Sequence, residues 1–249
     1  MRSIILCLII MFLFVLTAVP GEISDPFKIL EKIDSNMTFK STYAEIEMII
    51  TIKKREIVKK FKSYSEGNDR SFIEFLSPVR DRGTKILKKG KIIKIYYPSA
   101  ERVMRLSGHM LRQSMMGSDL SYEDMTERST KLREEYSGEL LQNEFLEGAE
   151  CYVLTLTSKK KKQTYFKRKI WVDKTKYIGL KEELYSKSGK LIKESRVVDI
   201  KFFRNRHYPV EIIMEDKLRK NSSTRMIIKK IDFDITIPDE TFSERMLMK

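Results

Sequence analysis

Few residues in this chain are of a type that does chemistry. There are two histidines, His109 and His207, and two cysteines, Cys7 and Cys151, with no His-x-x-x-His or Cys-x-x-Cys spacing, so no zinc-type site is predicted. Ser118 stands beside Asp119, with His109 nine positions earlier, which superficially supplies a nucleophile and a base. No Gly-x-Ser-x-Gly elbow surrounds the serine, and a triad depends on geometry that nearness in sequence does not supply. The plainer expectation is structural: Gly117 permits a positive φ, and Asp119 and Asp124 cap or brace a turn that also holds Tyr122. These residues point to a protein that binds rather than catalyses. No cofactor or metal is expected.

The segment that carries them is the exception in an otherwise regular pattern. His109-Met110-Leu111 and Met115-Met116 place apolar side chains where alternation stops, and Ser121-Tyr122-Glu123-Asp124 can open a helical turn capped by Ser121. Methionine fills core gaps well, and flexible Met-lined surfaces also accept ligands of varied shape. Both readings of the segment stay open at this point.

Before it, residues 1–21 read as an export signal: Arg2, an apolar run over 4–16, then small and turn-forming residues through Gly21. The run is shorter than the roughly 20 residues of a spanning helix. Cys7 lies inside it without the small residue that precedes a lipid-modified cysteine. The mature chain is expected to start near Glu22, as one exported domain over 22–249 with Cys151 its only thiol and no internal disulfide. Its length suits one all-β domain.

Apolar Phe27, Leu30, Ile33 and Met37 recur at helical spacing behind Asp25 and Pro26, predicting one amphipathic helix over 25–37. The period then changes to two. Ala44, Ile46, Met48, Ile50 and Ile52 alternate with polar residues, as do Ile73/Phe75, Ile93/Ile95/Tyr97 and Ile212/Met214; longer strands are expected at 150–158, 164–173, 179–187, 190–203 and 224–235. Turn signals at 66–69, 89–90, 188–189 and 220–223 separate them, so the sheet should be a large antiparallel meander. Residues 238–247 can form a short terminal helix. The helix, the Met-rich segment and this terminal piece are what the chain has to cover one sheet face, so closure should be incomplete and a cavity should remain.

The formal net charge of +14 would suggest nucleic acid in a cytoplasmic protein, but the export signal argues against it. Lys and Arg are spread over every expected strand, and the densest run, 159–162, looks like a hairpin tip. A basic surface is instead attracted to anionic headgroups, giving transient membrane contact. Arg80, Arg82 and Arg112 surround the Met-rich segment and are candidates to hold it shut or to touch headgroups. Trp171 is expected on a sheet face or in the core.

Residues 88–101, ending in Tyr96-Tyr97-Pro98, follow Phe75-Leu76-Ser77-Pro78 and Arg82-Gly83-Thr84, and precede Met116-Gly117-Ser118-Asp119-Leu120-Ser121-Tyr122-Glu123-Asp124. This succession resembles the LolA-like outer-membrane lipoprotein-sorting proteins, relatives of the LolA-type lipoprotein carriers. The likeness covers the layout of nearly all of the mature chain and is sharpest over 72–125. The chain differs from the best-studied carriers in having Lys94 where they carry Trp, and in being longer and more basic. The resemblance implies a strongly curved, incompletely closed antiparallel half-barrel, mainly β, with a few helices over its concave face and an apolar cavity for acyl chains.

On that reading the lining falls to Ile46, Met48, Ile50, Ile73, Phe75, Ile93, Ile95, Tyr97, Met110, Leu111, Met115 and Met116. The partners would be lipoprotein acyl chains or free lipid, an inner-membrane exporter and an outer-membrane acceptor. A lipid-responsive envelope sensor of the same fold is the alternative.

Overall fold

The structure is a computed structural model that describes residues 25–126 and 129–249; the expected leader, 1–21, lies outside the described residues. Asp25 caps the first helix by accepting the Phe27 N–H at 2.8 Å. Pro26 follows at a position where a missing N–H costs nothing. The helix, α1 (Pro26–Met37), turns Ile29 and Leu30 inward.

Six strands then run as a meander: β1 (Ser41–Ile52), β2 (Arg55–Glu66), β3 (Arg70–Ser77), β4 (Lys85–Lys89), β5 (Ile92–Tyr97) and β6 (Arg102–Leu106). A connecting segment of short 3-10 turns and α2 (Ser129–Glu135) leads to β7 (Tyr136–Leu146). A second meander follows: β8 (Ala149–Ser158), β9 (Lys167–Asp173), β10 (Gly179–Tyr185), β11 (Leu191–Phe203), β12 (Arg206–Asp216) and β13 (Ser222–Phe233), with α3 (Glu244–Met248) at the end. All thirteen strands form one antiparallel sheet in the order β6-β5-β4-β3-β2-β1-β13-β12-β11-β10-β9-β8-β7. The central seam therefore joins first strand to last. The outer edges, β6 and β7, do not pair with each other, so the half-barrel stays open and the connecting segment must travel from one edge to the other.

Pairing register traces a single face across the sheet. Ile170 sits opposite Glu182, Glu182 opposite Ser195, Ser195 opposite Met214, Met214 opposite Thr224, and Thr224 opposite Ile50. Side chains of a strand alternate between faces, so these residues share the inner one. Over β7–β9 that face is covered by α1, whose Ile29 and Leu30 pack with Tyr136, Leu154, Leu156 and Ile170. The approach is close: a Cβ on Gly138 would stand 2.9 Å from Pro26 Cγ. Over β1–β6 the face is covered by the connecting segment, hereafter the cap.

The terminal piece covers the other face, contrary to the expectation that it would help close the inner one. Phe242 and Leu247 pack on Phe72 and Leu87, the neighbours in sequence of inward-facing Ile73 and Ile86. Both sheet faces are apolar there, and the inner one is already taken by the cap.

Elsewhere the outer face is laced by cross-strand ion pairs such as Lys62–Glu74 at 3.0 Å, Arg225–Glu211 at 3.2 Å and Lys181–Glu194 at 3.5 Å. Much of the spread charge goes into these pairs. Trp171 is an outer-face aromatic: its indole N–H donates to Glu144 at 2.7 Å, and Lys169 and Lys181 lie over its ring.

Candidate functional site: a capped apolar cavity

The cap begins with a 3-10 turn at Gly108–Arg112, pairs Ser114 with Ser121 in an isolated bridge, and reverses at Met116 and Gly117, which have φ of 51° and 84°. Gly117, with no Cβ, takes its left-handed conformation without the steric cost a side chain would carry. The reversal drives Met115 into the sheet. Ser118 is fully buried, and its hydroxyl donates to the Met115 carbonyl at 2.7 Å, so it ties the turn together. His109 is exposed on the first turn.

Asp119 is a buried acidic residue of the cap. Its carboxylate accepts the Thr224 hydroxyl at 2.6 Å and the Asp216 N–H at 3.3 Å, with Arg219 3.7 Å away. Arg219 also donates to the Ser118 carbonyl at 2.7 Å and to that of Gly117 at 3.2 Å. A second anchor lies at Asp124, which accepts the Ser121 N–H at 2.7 Å, the Tyr165 hydroxyl at 2.7 Å and Lys193 Nζ at 2.6 Å. Ser121 Oγ accepts the Asp124 N–H in return at 3.3 Å, a reciprocal cap for the turn that follows. The cap is thus bolted by charge-assisted bonds to β11, the β12–β13 turn and the β8–β9 loop. The cations are Arg219 and Lys193. Of the three arginines suggested by position, Arg82 donates to the Leu76 carbonyl, Arg80 stands 3.7 Å from Asp81, and Arg112 is exposed.

Against β1–β6 the cap is held by apolar packing. Met48, Ile50, Ile73, Phe75, Ile93, Ile95 and Met115 are buried in one cluster, with Ile46, Tyr97, Met110, Leu111 and Met116 packed against it. All twelve residues expected to line a cavity come together here. In this closed arrangement they fill the space between sheet and cap.

Open space lies beside this cluster, between the cap and α1. An apolar cavity of about 300 Å³ is lined by Ile46 of β1, Ile212 and Met214 of β12, Met226 and Ile228 of β13, Pro209, Val210, Ser195 and Leu120 of the cap. Only Ile46 belongs to the expected set. The alternation at Ile212 and Met214 was a usable signal, but nothing local in sequence places β13 against β1. A second cavity, about 320 Å³, runs under α1 past Leu30, Ile33 and Ile170 and is more polar, with the Arg168–Glu182 pair at 3.0 Å and Asp34. Burial, reinforced by Glu31, raises the Asp34 carboxyl above its usual value. Ser195 lines both cavities, so the two adjoin.

A third space, about 310 Å³, is polar and contains the buried Lys59–Asp81 pair at 2.5 Å together with Tyr97, Met116 and Tyr122. Burial and the neighbouring Tyr97 raise the Tyr122 phenol, so it stays neutral. Among the described residues no group of three or more His, Cys, Asp or Glu could hold a metal ion, and no helix is long and apolar enough to cross a membrane. What the arrangement offers is a mostly hydrocarbon-lined volume, at the lower end of ligand-pocket size, whose cover is held by polar bolts on one side and apolar packing on the other.

A family model described as "-like: Uncharacterized protein" matches residues 67–249. No curated protein matches. Among solved structures, the chain is similar to a DUF1329 family protein from Desulfovibrio piger ATCC 29098, with a TM-score of 0.82, 27% identity, and coverage of 89% of this chain and 97% of that one. A LolA superfamily protein from Nitrosomonas europaea gives a TM-score of 0.72 and 28% identity over 88% of this chain and 97% of that one. A domain named for outer membrane lipoprotein sorting from Vibrio parahaemolyticus gives 0.80 at 22% identity, over 90% and 98%, a likeness of fold.

Proposed function

Because this chain belongs to the LolA-like outer-membrane lipoprotein-sorting family, we propose that it is a periplasmic carrier that shelters acyl chains of lipoproteins or lipids and passes them from the inner membrane towards the outer membrane. The observation that carries the reading is the apolar cavity at the central seam, roofed by Leu120 of the cap. Hydrocarbon exposed to water costs about 0.8 kcal/mol per CH₂, so roughly 15 methylenes represent on the order of 12 kcal/mol that a soluble carrier must offset. The cavity beside Ser195 accommodates part of a chain with the cap closed. Lifting the cap would add the face now occupied by Met110, Leu111, Met115 and Met116.

Transfer then requires only differential affinity between cap-open and cap-closed states. Methionine suits that exchange, since the same side chains can pack on the sheet or on cargo. The anchors at Asp119 and Asp124 define how the cap returns. No catalytic step is involved, and the partners are an exporter on one side and an acceptor on the other.

Native mass spectrometry of protein purified from membrane-free extract tests the reading. Bound lipid that moves to acceptor vesicles supports it. An empty protein that takes up no acyl ligand overturns it, and a lipid-dependent partner complex without transfer replaces it with a sensor.

A further inference from the structure

We propose that one end of the sheet is a docking surface for an anionic phospholipid bilayer. This rests on the carrier reading, for which it names the surface presented to a membrane.

In an antiparallel meander alternate turns fall at the same end. The register places the turns at 53–54, 78–84, 98–101, 159–166, 186–190 and 217–221 together. Their sequences contain Lys53-Lys54, Arg80 and Arg82, the run Lys159-Lys160-Lys161-Lys162, Lys187 and Lys190, and Lys217-Leu218-Arg219-Lys220. The acids among them are Asp81 and Glu101, and Asp81 is neutralised by buried Lys59. At the opposite end the turns mix signs: Asp69, Glu147 and Asp234 stand among Lys91, Lys174, Lys176 and Arg204, and Lys174, Lys176 and Arg204 are paired with Glu150, Asp173 and Asp234. Hairpin tips scattered along the sequence are thus gathered by topology into one basic arc.

Apolar side chains project from the same arc. Val79 is 79% exposed between Pro78 and Arg80, and Leu218 is 54% exposed between Lys217 and Arg219. Ile57 and Val58 add exposed apolar surface beside the 53–54 turn. Cations attract anionic headgroups, and short apolar tips gain by entering the interface, so the pairing fits a lipid surface better than a nucleic acid. The opposite end exposes Phe145 and Phe202, but its mixed and largely paired charge attracts an anionic surface less than the basic arc does. Arg219, which holds the cap through Gly117 and Ser118, belongs to the basic arc, so the docked end is also the end where the cap is fastened.

Flotation with vesicles of 30% phosphatidylglycerol in phosphatidylcholine tests this, using the full chain, Lys53→Glu/Lys54→Glu, Lys161→Glu/Lys162→Glu, and Lys89→Glu/Lys91→Glu as a control of equal charge change at the other end. Each cation near an anionic surface contributes about fivefold in partitioning. The tip variants should lose at least tenfold in binding and the control less than about twofold, binding should vanish on pure phosphatidylcholine or at high salt, and all proteins should still take up a fluorescent acyl probe. Equal loss in the control, probe uptake without wild-type vesicle binding, or tighter binding to a duplex DNA competitor overturns the surface. Vesicle binding without probe uptake keeps the surface and removes the carrier reading.

Discussion

Thr224 and Asp119 make two hydrogen bonds with each other across 105 residues of sequence: the Thr224 hydroxyl donates to the Asp119 carboxylate at 2.6 Å and accepts the Asp119 N–H at 2.9 Å. A buried carboxylate is tolerated only when its oxygens are satisfied, and Asp216 N–H and Arg219 complete the set. Thr224 is two residues from Met226, which lines the cavity. The latch that seats the cap is therefore built into a strand that forms the cavity wall.

Thr224→Val keeps the shape and removes both bonds. It should cost about 1–3 kcal/mol in chemical denaturation, because Asp119 is left short of partners. Amides of 115–122 should exchange faster in hydrogen-exchange measurements, and an acyl probe should enter and leave more quickly. Thr224→Ser, which retains the hydroxyl, should restore most of both.

Lys59 and Asp81 form an ion pair beneath the cap, with side-chain exposures of 3% and 9%. Lys59→Met leaves a buried carboxylate with only distant Arg80, and should lower unfolding free energy by about 3–5 kcal/mol. Lys59→Met/Asp81→Leu removes both charges and should recover most of the loss. A double variant no more stable than the single one would contradict this account of the pair.

Asp173 sets an acid limb of stability. Burial pushes its carboxyl up, but hydrogen bonds from the Thr175 hydroxyl and the Thr175 and Lys176 N–H groups outweigh burial and hold it below its usual value. A depressed folded value means that the stabilisation is present above the unfolded pKa of about 3.9 and is lost as pH falls through the folded value. Asp173→Asn should therefore destabilise at pH 7 and flatten the stability profile below about pH 4.

Cys151 is buried, and burial, with Asp173 nearby, pushes its thiol up to about 11. Thiolate is the reactive form. In native protein at pH 8, Cys151 should resist a thiol reagent over hours, and it should react once the protein is unfolded in denaturant, as read by peptide mass mapping.

Much of the frame was legible because period-two alternation assigns faces directly. Ile46, Met48 and Ile50, Ile93 and Ile95, and Ile212 and Met214 do share the inner face. Asp25 and Pro26 started the helix as their chemistry requires, and Ser121 with Asp124 capped a turn. Strand β2 was not separable from β1 because its turn places Lys53 and Lys54, rather than Gly or Asn, at φ of 46° and 68°. Strand β7 was hidden by a register shift between Leu141 and Glu144 that interrupts its alternation. Alternation also says nothing about which face a distant segment will cover, so the terminal piece settled on Phe72 and Leu87. The cavity wall needed the seam between β1 and β13, a pairing between the two ends of the sheet that no local pattern encodes.

The most direct test loads the protein with a photoactivatable fatty acyl probe and maps the cross-links by mass spectrometry, in wild type and in Met226→Trp, whose indole would occupy the cavity. The account predicts cross-links to Ile46, Leu120, Ile212, Met214 and Ile228, and a loss of at least tenfold in uptake in a still-folded Met226→Trp. Cross-links confined to the outer face, or undiminished uptake with the cavity filled, would contradict it.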